Sequence, residues 1–211
     1  MKEESLNNET NPLKLLYLSL FLISVSVIAF QIVLMQVLSF VQWYHFAYMI
    51  ISVALLGFGA AGTFLAIKRE YLLKNSQKFI PLFIILSGIA FIIVIPAAQW
   101  LFGEFESYLL FVDTEQIYYL LFTYLLFAIP FFLSGLSIGI IFVKYVHKIG
   151  YLYFSNLAGS GSGGIFALLI ILLFLPNELP SIVGMISLAA GLFLIPSKRN
   201  LSFLILTLTG F

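Results

Sequence analysis

Three glycines in the segment LLGFGAAGTF carry the spacing of a nucleotide-binding turn. Gly57, Gly59 and Gly62 follow the pattern G-x-G-x-x-G, in which the missing side chains let the backbone approach a pyrophosphate at a helix N-terminus. That chemistry needs a preceding strand and an acidic residue about 20 positions later. Here the nearest later acid is Glu70, beside two basic residues, and the segment lies inside a long apolar run. We therefore expect these glycines to pack against a neighbouring helix and not to bind a nucleotide.

Two more groups of small residues occur in later apolar runs. Gly135 and Gly139 lie four positions apart in SGLSIG, and Gly159 and Gly163 do so in NLAGSGSGG. Residues at this spacing share a helix face, and small residues in membrane helices let a neighbouring helix approach closely. We therefore predict close helix packing at all three groups. The alternative for the last group is a broken helix that lines a substrate site, with Asn156 as its buried polar residue.

Gln31 and His45 are the other candidates for a functional role. Gln31 lies in the first apolar run, where a hydrogen bond to another helix is the simpler explanation and a ligand contact is the alternative. His45 lies in the turn QWYHFAY, where it has a structural role or, alternatively, gates or binds a solute. The only other histidine, His147, falls on the opposite side of the membrane, and the chain has no cysteine. We therefore expect no metal site, and because no nucleophile–base pair is present we predict no catalytic residue and no cofactor.

The composition explains why so few residues are available for chemistry. Of the 211 residues, 62% are hydrophobic and 9% are charged, whereas soluble domains carry about 25% charged residues. The long apolar runs approach the roughly 20 residues that cross a bilayer as a helix. We predict an all-α, polytopic transmembrane helical bundle with six complete spans and the start of a seventh at Leu201. The six spans are Leu15–Phe40, His45–Ile67, Phe79–Ala98, Ile117–Val143, Tyr151–Leu175 and Ser181–Ile195.

The basic residues predict the orientation of these spans. If residues 1–14 form a cytoplasmic N-terminal tail, all 10 Lys and Arg residues fall on the cytoplasmic side, as expected from the cost of translocating them. One loop on the opposite side carries Glu104, Glu106, Asp113 and Glu115. Topological exclusion of basic residues explains this loop, and a vestibule that attracts cations is the alternative. We thus predict a multi-pass protein of the inner (plasma) membrane. We expect its partner to be the lipid bilayer, and we expect it to bind no nucleic acid.

Two stretches carry a family resemblance. QWYHFAYMIISVALLGFGAAGTFLA and YLYFSNLAGSGSGGIFALLIILLFLP resemble the membrane-spanning N-terminal half of bacterial spermidine synthase-like (aminopropyltransferase-like) proteins. The resemblance implies a cytosolic domain with a glycine-rich loop for decarboxylated S-adenosylmethionine and with catalytic aspartates. This chain contains neither feature, so the resemblance assigns no catalytic residue here.

Three functions remain open from the sequence. The chain is a membrane module, non-catalytic by itself, that anchors or serves a C-terminal soluble domain of a spermidine synthase-like protein. Alternatively, it is a transporter or channel module for a small, cationic solute, or a structural subunit that binds a partner in a membrane complex. The last apolar run, LSFLILTLTGF, is too short to cross a bilayer, so we expect the membrane domain of residues 15–211 to end in a truncated span.

Overall fold

The computed structural model describes the backbone of residues 2–41, 44–102 and 114–195, and the side chains of residues 13–39, 48–101 and 116–195. These residues form seven helices and no strand, so the predicted all-α fold is confirmed. The helices are α1 (Lys2–Val41), α2 (Tyr44–Ile67), α3 (Arg69–Lys74), α4 (Ser76–Phe102), α5 (Thr114–Lys144), α6 (Ile149–Leu173) and α7 (Leu179–Phe193).

Five of the helices are long and apolar enough to cross a membrane, namely α1, α2, α4, α5 and α6. The sixth predicted span, Ser181–Ile195, corresponds to α7, which has only 15 residues. At 1.5 Å per residue such a helix is about 22 Å long, shorter than the roughly 30 Å hydrocarbon core. The first five predicted spans therefore correspond to the five long helices, and the sixth corresponds to one short apolar helix. The predicted seventh span lies outside the described residues.

Helix α4 extends beyond its predicted span of Phe79–Ala98 at both ends, and it continues through the two prolines that the span contains. Pro81 and Pro96 both lie inside the helix, which extends to Phe102, although each proline removes one backbone hydrogen bond. In hydrocarbon, ending the helix would leave more backbone groups unpaired than continuing it does. The short helix α3, in the basic segment after α2, was not predicted.

Helices α2 and α5 are parallel neighbours. Gly57 of α2 lies against Phe131 of α5, and two turns further along Leu65 lies against Gly139. Both helices therefore advance in the same direction between the two contacts. This is the direction expected when each successive long helix crosses the bundle in the opposite sense.

Helices α1 and α6 are also parallel. Gly159 of α6 lies against Phe21 of α1, and one turn later Gly163 lies against Val25. Helix α7, in contrast, is antiparallel to α4. Ile85 of α4 contacts Gly191 of α7, and the later residue Ile92 of α4 contacts the earlier residue Gly184 of α7.

These directions bring the basic segments of the chain to one end of the bundle. The C-termini of α2 and α5 meet there, where the Lys144 ammonium donates a hydrogen bond to the Leu73 carbonyl at 3.5 Å. The N-termini of α1, α4 and α6 lie at the same end, which we call the basic end. It contains all the lysines and the arginine whose side chains are described: Lys14, Lys68, Arg69, Lys74, Lys78, Lys144 and Lys148.

The centre of the bundle is filled by aromatic rings from three long helices. Phe30 of α1, Phe91 of α4 and Phe131 of α5 are all fully buried. The ring of Phe30 lies 4.5 Å from that of Phe91 and 5.7 Å from that of Phe131, measured between ring centroids. Phe58 of α2 adds a fourth ring, 6.2 Å from Phe131. Such pairs contribute about 0.5–1.5 kcal/mol each beyond their buried area, so this cluster holds four helices together at one level.

Candidate functional site

The interface between α2 and α5 contains three of the predicted packing glycines. A Cβ atom at Gly57 would lie 2.7 Å from the Phe131 Cβ atom, and one at Gly135 would lie 2.8 Å from a ring carbon of Phe58. A Cβ atom at Gly139 would likewise lie 2.8 Å from a methyl group of Leu65. A side chain at Gly57 would collide with the backbone of α5, and one at Gly135 or Gly139 would displace Phe58 or Leu65. The missing side chains therefore let the two helix backbones approach each other.

Gly59 and Gly62 do not belong to this interface. Both are exposed, and a Cβ atom at either position would meet no atom within 4 Å. The prediction that they pack closely is therefore wrong within the chain. The reason is helix geometry, since a residue two positions away is rotated by about 200° and one five positions away by about 140°. The motif G-x-G-x-x-G wraps around α2, and only Gly57 lies on the face towards α5.

The same segment has no phosphate-binding turn. Residues 44–67 form one continuous α-helix, so the backbone amides around Gly57 lie within the helix and not at its N-terminus. A pyrophosphate site of the dinucleotide-binding type requires free amides at the start of a helix.

The interface between α1 and α6 contains the other two predicted glycines and a polar contact. Gly159 lies directly against the Phe21 carbonyl, and a Cβ atom at Gly163 would lie 2.6 Å from the Val25 carbonyl oxygen. One turn before Gly159, the side chains of Ser24 and Asn156 are 2.9 Å apart. The structure therefore brings one predicted functional candidate, Asn156, into the closest-packed part of this interface.

The contact between Ser24 and Asn156 is part of a small hydrogen-bond chain. The Ser24 hydroxyl donates to the Leu20 carbonyl at 2.7 Å. The same hydroxyl also donates to the Asn156 Oδ1 atom at 2.9 Å, so its single proton is shared between the two acceptors. The half-buried Asn156 amide thus links α6 to α1 through a serine that is already bonded to its own helix.

The remaining candidates are not brought together. Gln31 is half-buried on α1, nearly two turns beyond Ser24, and His45 lies in the first turn of α2 with its side chain outside the described residues. The carboxylates of the loop from Glu104 to Glu115 also lie outside the described side chains, so the vestibule hypothesis stays a prediction. Within the described part of the chain, no group of three or more His, Asp or Glu side chains could hold a metal ion.

The sequence analysis missed a third close interface, between α4 and α7. Ser87 and Ser187 meet there with their hydroxyl oxygens 3.1 Å apart, and each donates to the carbonyl of Ile84, at 2.8 and 3.0 Å respectively. Gly88 and Gly184 lie beside these serines, each with the other helix's backbone within about 3 Å of the position of a Cβ atom. The spacing of Gly184, Ser187 and Gly191 could have revealed this small-residue face, since positions three and four apart recur on one side of a helix.

Helix α7 is also bound to α1. The Ser19 hydroxyl donates a hydrogen bond of 2.7 Å to the Ala190 carbonyl, and both residues are buried. All buried side-chain nitrogen and oxygen atoms of the described residues have a hydrogen-bond partner. The serine and asparagine side chains at these interfaces therefore join neighbouring helices by hydrogen bonds.

Comparison with known proteins adds no family to these observations. The chain matches no family model, and no curated protein or solved structure is similar enough to it to indicate a relationship, so membership of the spermidine synthase-like proteins stays a prediction.

Proposed function

We propose that this chain is a membrane module, non-catalytic by itself, that anchors or serves a soluble domain. The observation that carries the proposal is the packed aromatic centre of Phe30, Phe91 and Phe131. The Phe30 ring packs against both of the others and all three rings are fully buried, so side chains fill the middle of the bundle. A filled centre is what we expect of a module that anchors attached segments, and it leaves less space for a solute pathway.

The direction of the helices supports the same proposal. The connections between α2 and α4 and between α5 and α6 meet at the basic end. We propose that this end faces the cytoplasm and that the membrane is the inner (plasma) membrane. A cytosolic domain of the aminopropyltransferase type, as in the proteins that the sequence resembles, would then lie on this side. The basic end would contact the domain or hold it near the membrane surface.

The test uses the complete gene that contains this chain. We expect its reading frame, or a neighbouring gene, to encode an α/β domain that sediments with membranes when this chain is present and stays in the supernatant when the chain is deleted. The isolated domain should transfer an aminopropyl group from decarboxylated S-adenosylmethionine to a polyamine in both cases. If no such domain is encoded, or if its sedimentation does not depend on this chain, the anchoring proposal is refuted.

A transporter or channel module for a small cationic solute is the second candidate, favoured by the half-buried Asn156 amide. Asn156 lies on α6, the least buried of the five long apolar helices. A helix that is held by few neighbours is able to move and so expose a polar site. Proteoliposomes that contain the purified protein decide between the candidates. Uptake of labelled putrescine or spermidine above that of empty liposomes, and its loss in Asn156→Ala, would favour transport. Uptake equal to that of empty liposomes supports the anchoring module.

A further inference from the structure

An open cavity of about 520 Å³ lies at the corner where α5 turns into α6. A 3-10 turn, Val146–Lys148, joins the two helices, and the Lys148 amide donates to the Tyr145 carbonyl at 2.8 Å. This turn places basic side chains directly before the first aromatic residues of α6. We call the cavity the corner pocket, and the residues that line it are His147, Lys148, Ile149, Gly150, Tyr151 and Phe154.

The corner pocket has a polar part and an apolar part. Lys148 supplies a positive ammonium group and His147 supplies a ring N–H donor, and both groups can bind a phosphate. Tyr151 and Phe154 are 72% and 71% exposed, so their rings offer an apolar surface to the surroundings. Charge and apolar surface side by side fit a molecule with an anionic head and an apolar tail.

The position of the pocket indicates which molecule this is. The pocket belongs to the basic end of the bundle, and the ring of Tyr151 lies 6.0 Å from that of Tyr17, near the start of the apolar part of α1. The pocket is therefore level with the start of the apolar part of α1, where the border between the hydrocarbon core and the headgroup layer is expected. Aromatic rings and lysines at this level contact headgroups, and basic pockets at the ends of membrane helices bind anionic lipids.

The described side chains of the basic end include seven basic residues and one acid. Among the described side chains of the basic end, the one acid is Glu70 on α3. The Lys144 ammonium, at the end of α5, donates to the Leu73 carbonyl of the same helix α3. The described side chains therefore give the basic end a net positive charge, to which Lys148 contributes.

We propose that the corner pocket binds an anionic phospholipid from the leaflet at the basic end. Its phosphate contacts Lys148 and His147, and an acyl chain lies along Tyr151 and Phe154. This site is independent of the anchoring function proposed above, because it requires only the geometry of the corner and a bilayer around it.

Gly150 allows a specific test of the pocket. A Cβ atom at Gly150 would meet nothing within 4 Å, so Gly150→Leu fills the pocket without disturbing the packing of α6 on α1. Gly161 lies on the same helix, is also exposed and also has nothing within 4 Å of a Cβ atom. Gly161→Leu is therefore a matched control outside the pocket. For the charge, Lys148→Gln is paired with Lys78→Gln, which removes an exposed lysine of the basic end elsewhere.

The measurement is native mass spectrometry of the purified protein in detergent with dioleoyl phosphatidylglycerol or dioleoyl phosphatidylcholine. We expect the anionic lipid, phosphatidylglycerol, to stay bound to the unsubstituted protein and to both control variants. Gly150→Leu should abolish this binding, and Lys148→Gln should weaken it about fivefold, since one basic residue near a headgroup has an effect of this size. Excess inorganic phosphate should not displace the lipid, because the acyl chain contributes to binding.

Three results would overturn the proposal. Equal binding of phosphatidylcholine would show that charge is not recognised. Equal losses in the control and pocket variants would show a diffuse surface effect. Displacement of the lipid by inorganic phosphate would identify a soluble anion as the ligand.

Discussion

Ser24 of α1 and Asn156 of α6 lie 132 positions apart in the chain, and their side chains are 2.9 Å apart in the structure. This is the one side-chain hydrogen bond between α1 and α6 that is observed among the described residues, and it lies beside the closest backbone approach of the two helices. Because α6 makes most of its contacts with α1, the pair is well placed to control how firmly α6 is held.

The first prediction concerns this pair. In a double-mutant cycle of Ser24→Ala and Asn156→Ala, we expect a coupling of about 0.6 kcal/mol, the average for hydrogen bonds between membrane helices. Unfolding in a series of SDS concentrations measures the stability of the four proteins. Strictly additive effects of the two substitutions would mean that the contact does not stabilise the bundle.

The second prediction compares two glycines of the same motif. Gly57→Leu should destabilise the protein by about 1–3 kcal/mol, because the new side chain would overlap Phe131 and the backbone of α5. Gly59→Leu should change stability little, since its side chain would point into open space. Thermal unfolding in detergent measures both. Equal destabilisation by the two variants would contradict the assignment of Gly57 alone to the α2–α5 interface.

The third prediction concerns the aromatic centre. Phe91→Ala should lower the free energy of unfolding by about 3–5 kcal/mol, the usual cost of removing a buried ring. Ile93→Ala is the matched control, because Ile93 lies on the same helix and is 53% exposed. Unfolding in a series of SDS concentrations measures the stability of both variants. A Phe91→Ala protein as stable as Ile93→Ala would show that the central rings do not hold the helices together.

The fourth prediction concerns orientation, and the absence of native cysteines makes it simple to test. Gln77 lies at the basic end and Asn177 follows α6 at the opposite end, and both are exposed. In intact cells, an impermeant maleimide should label Asn177→Cys, whereas Gln77→Cys should react only after the membrane is opened. If both residues react from the same side, the alternating arrangement of the helices is wrong. If the two sides are exchanged, only the proposed orientation is wrong.

The sequence alone was sufficient for the helical class and for the approximate positions of the five long helices. Long apolar runs with little charge leave the backbone no partner except itself, so a helix is the only local solution in a bilayer. The grouping of basic residues also predicted that the chain reverses direction between them, which the parallel pairs α2–α5 and α1–α6 bear out. These properties depend on composition and on neighbours along the chain.

Which small residue packs against which helix was decided only by the tertiary structure. Gly57 and Gly59 belong to the same motif, yet one lies against Phe131 and the other has nothing within 4 Å, because the partner helix occupies only one side of α2. The contact between Ser87 and Ser187, 100 positions apart, likewise depends on the docking of the short helix α7 against α4. In lipid, apolar surface is equally at home on every face of a helix. Hydrophobicity therefore indicates that a helix crosses the membrane, and shape complementarity between distant segments determines which face meets which neighbour.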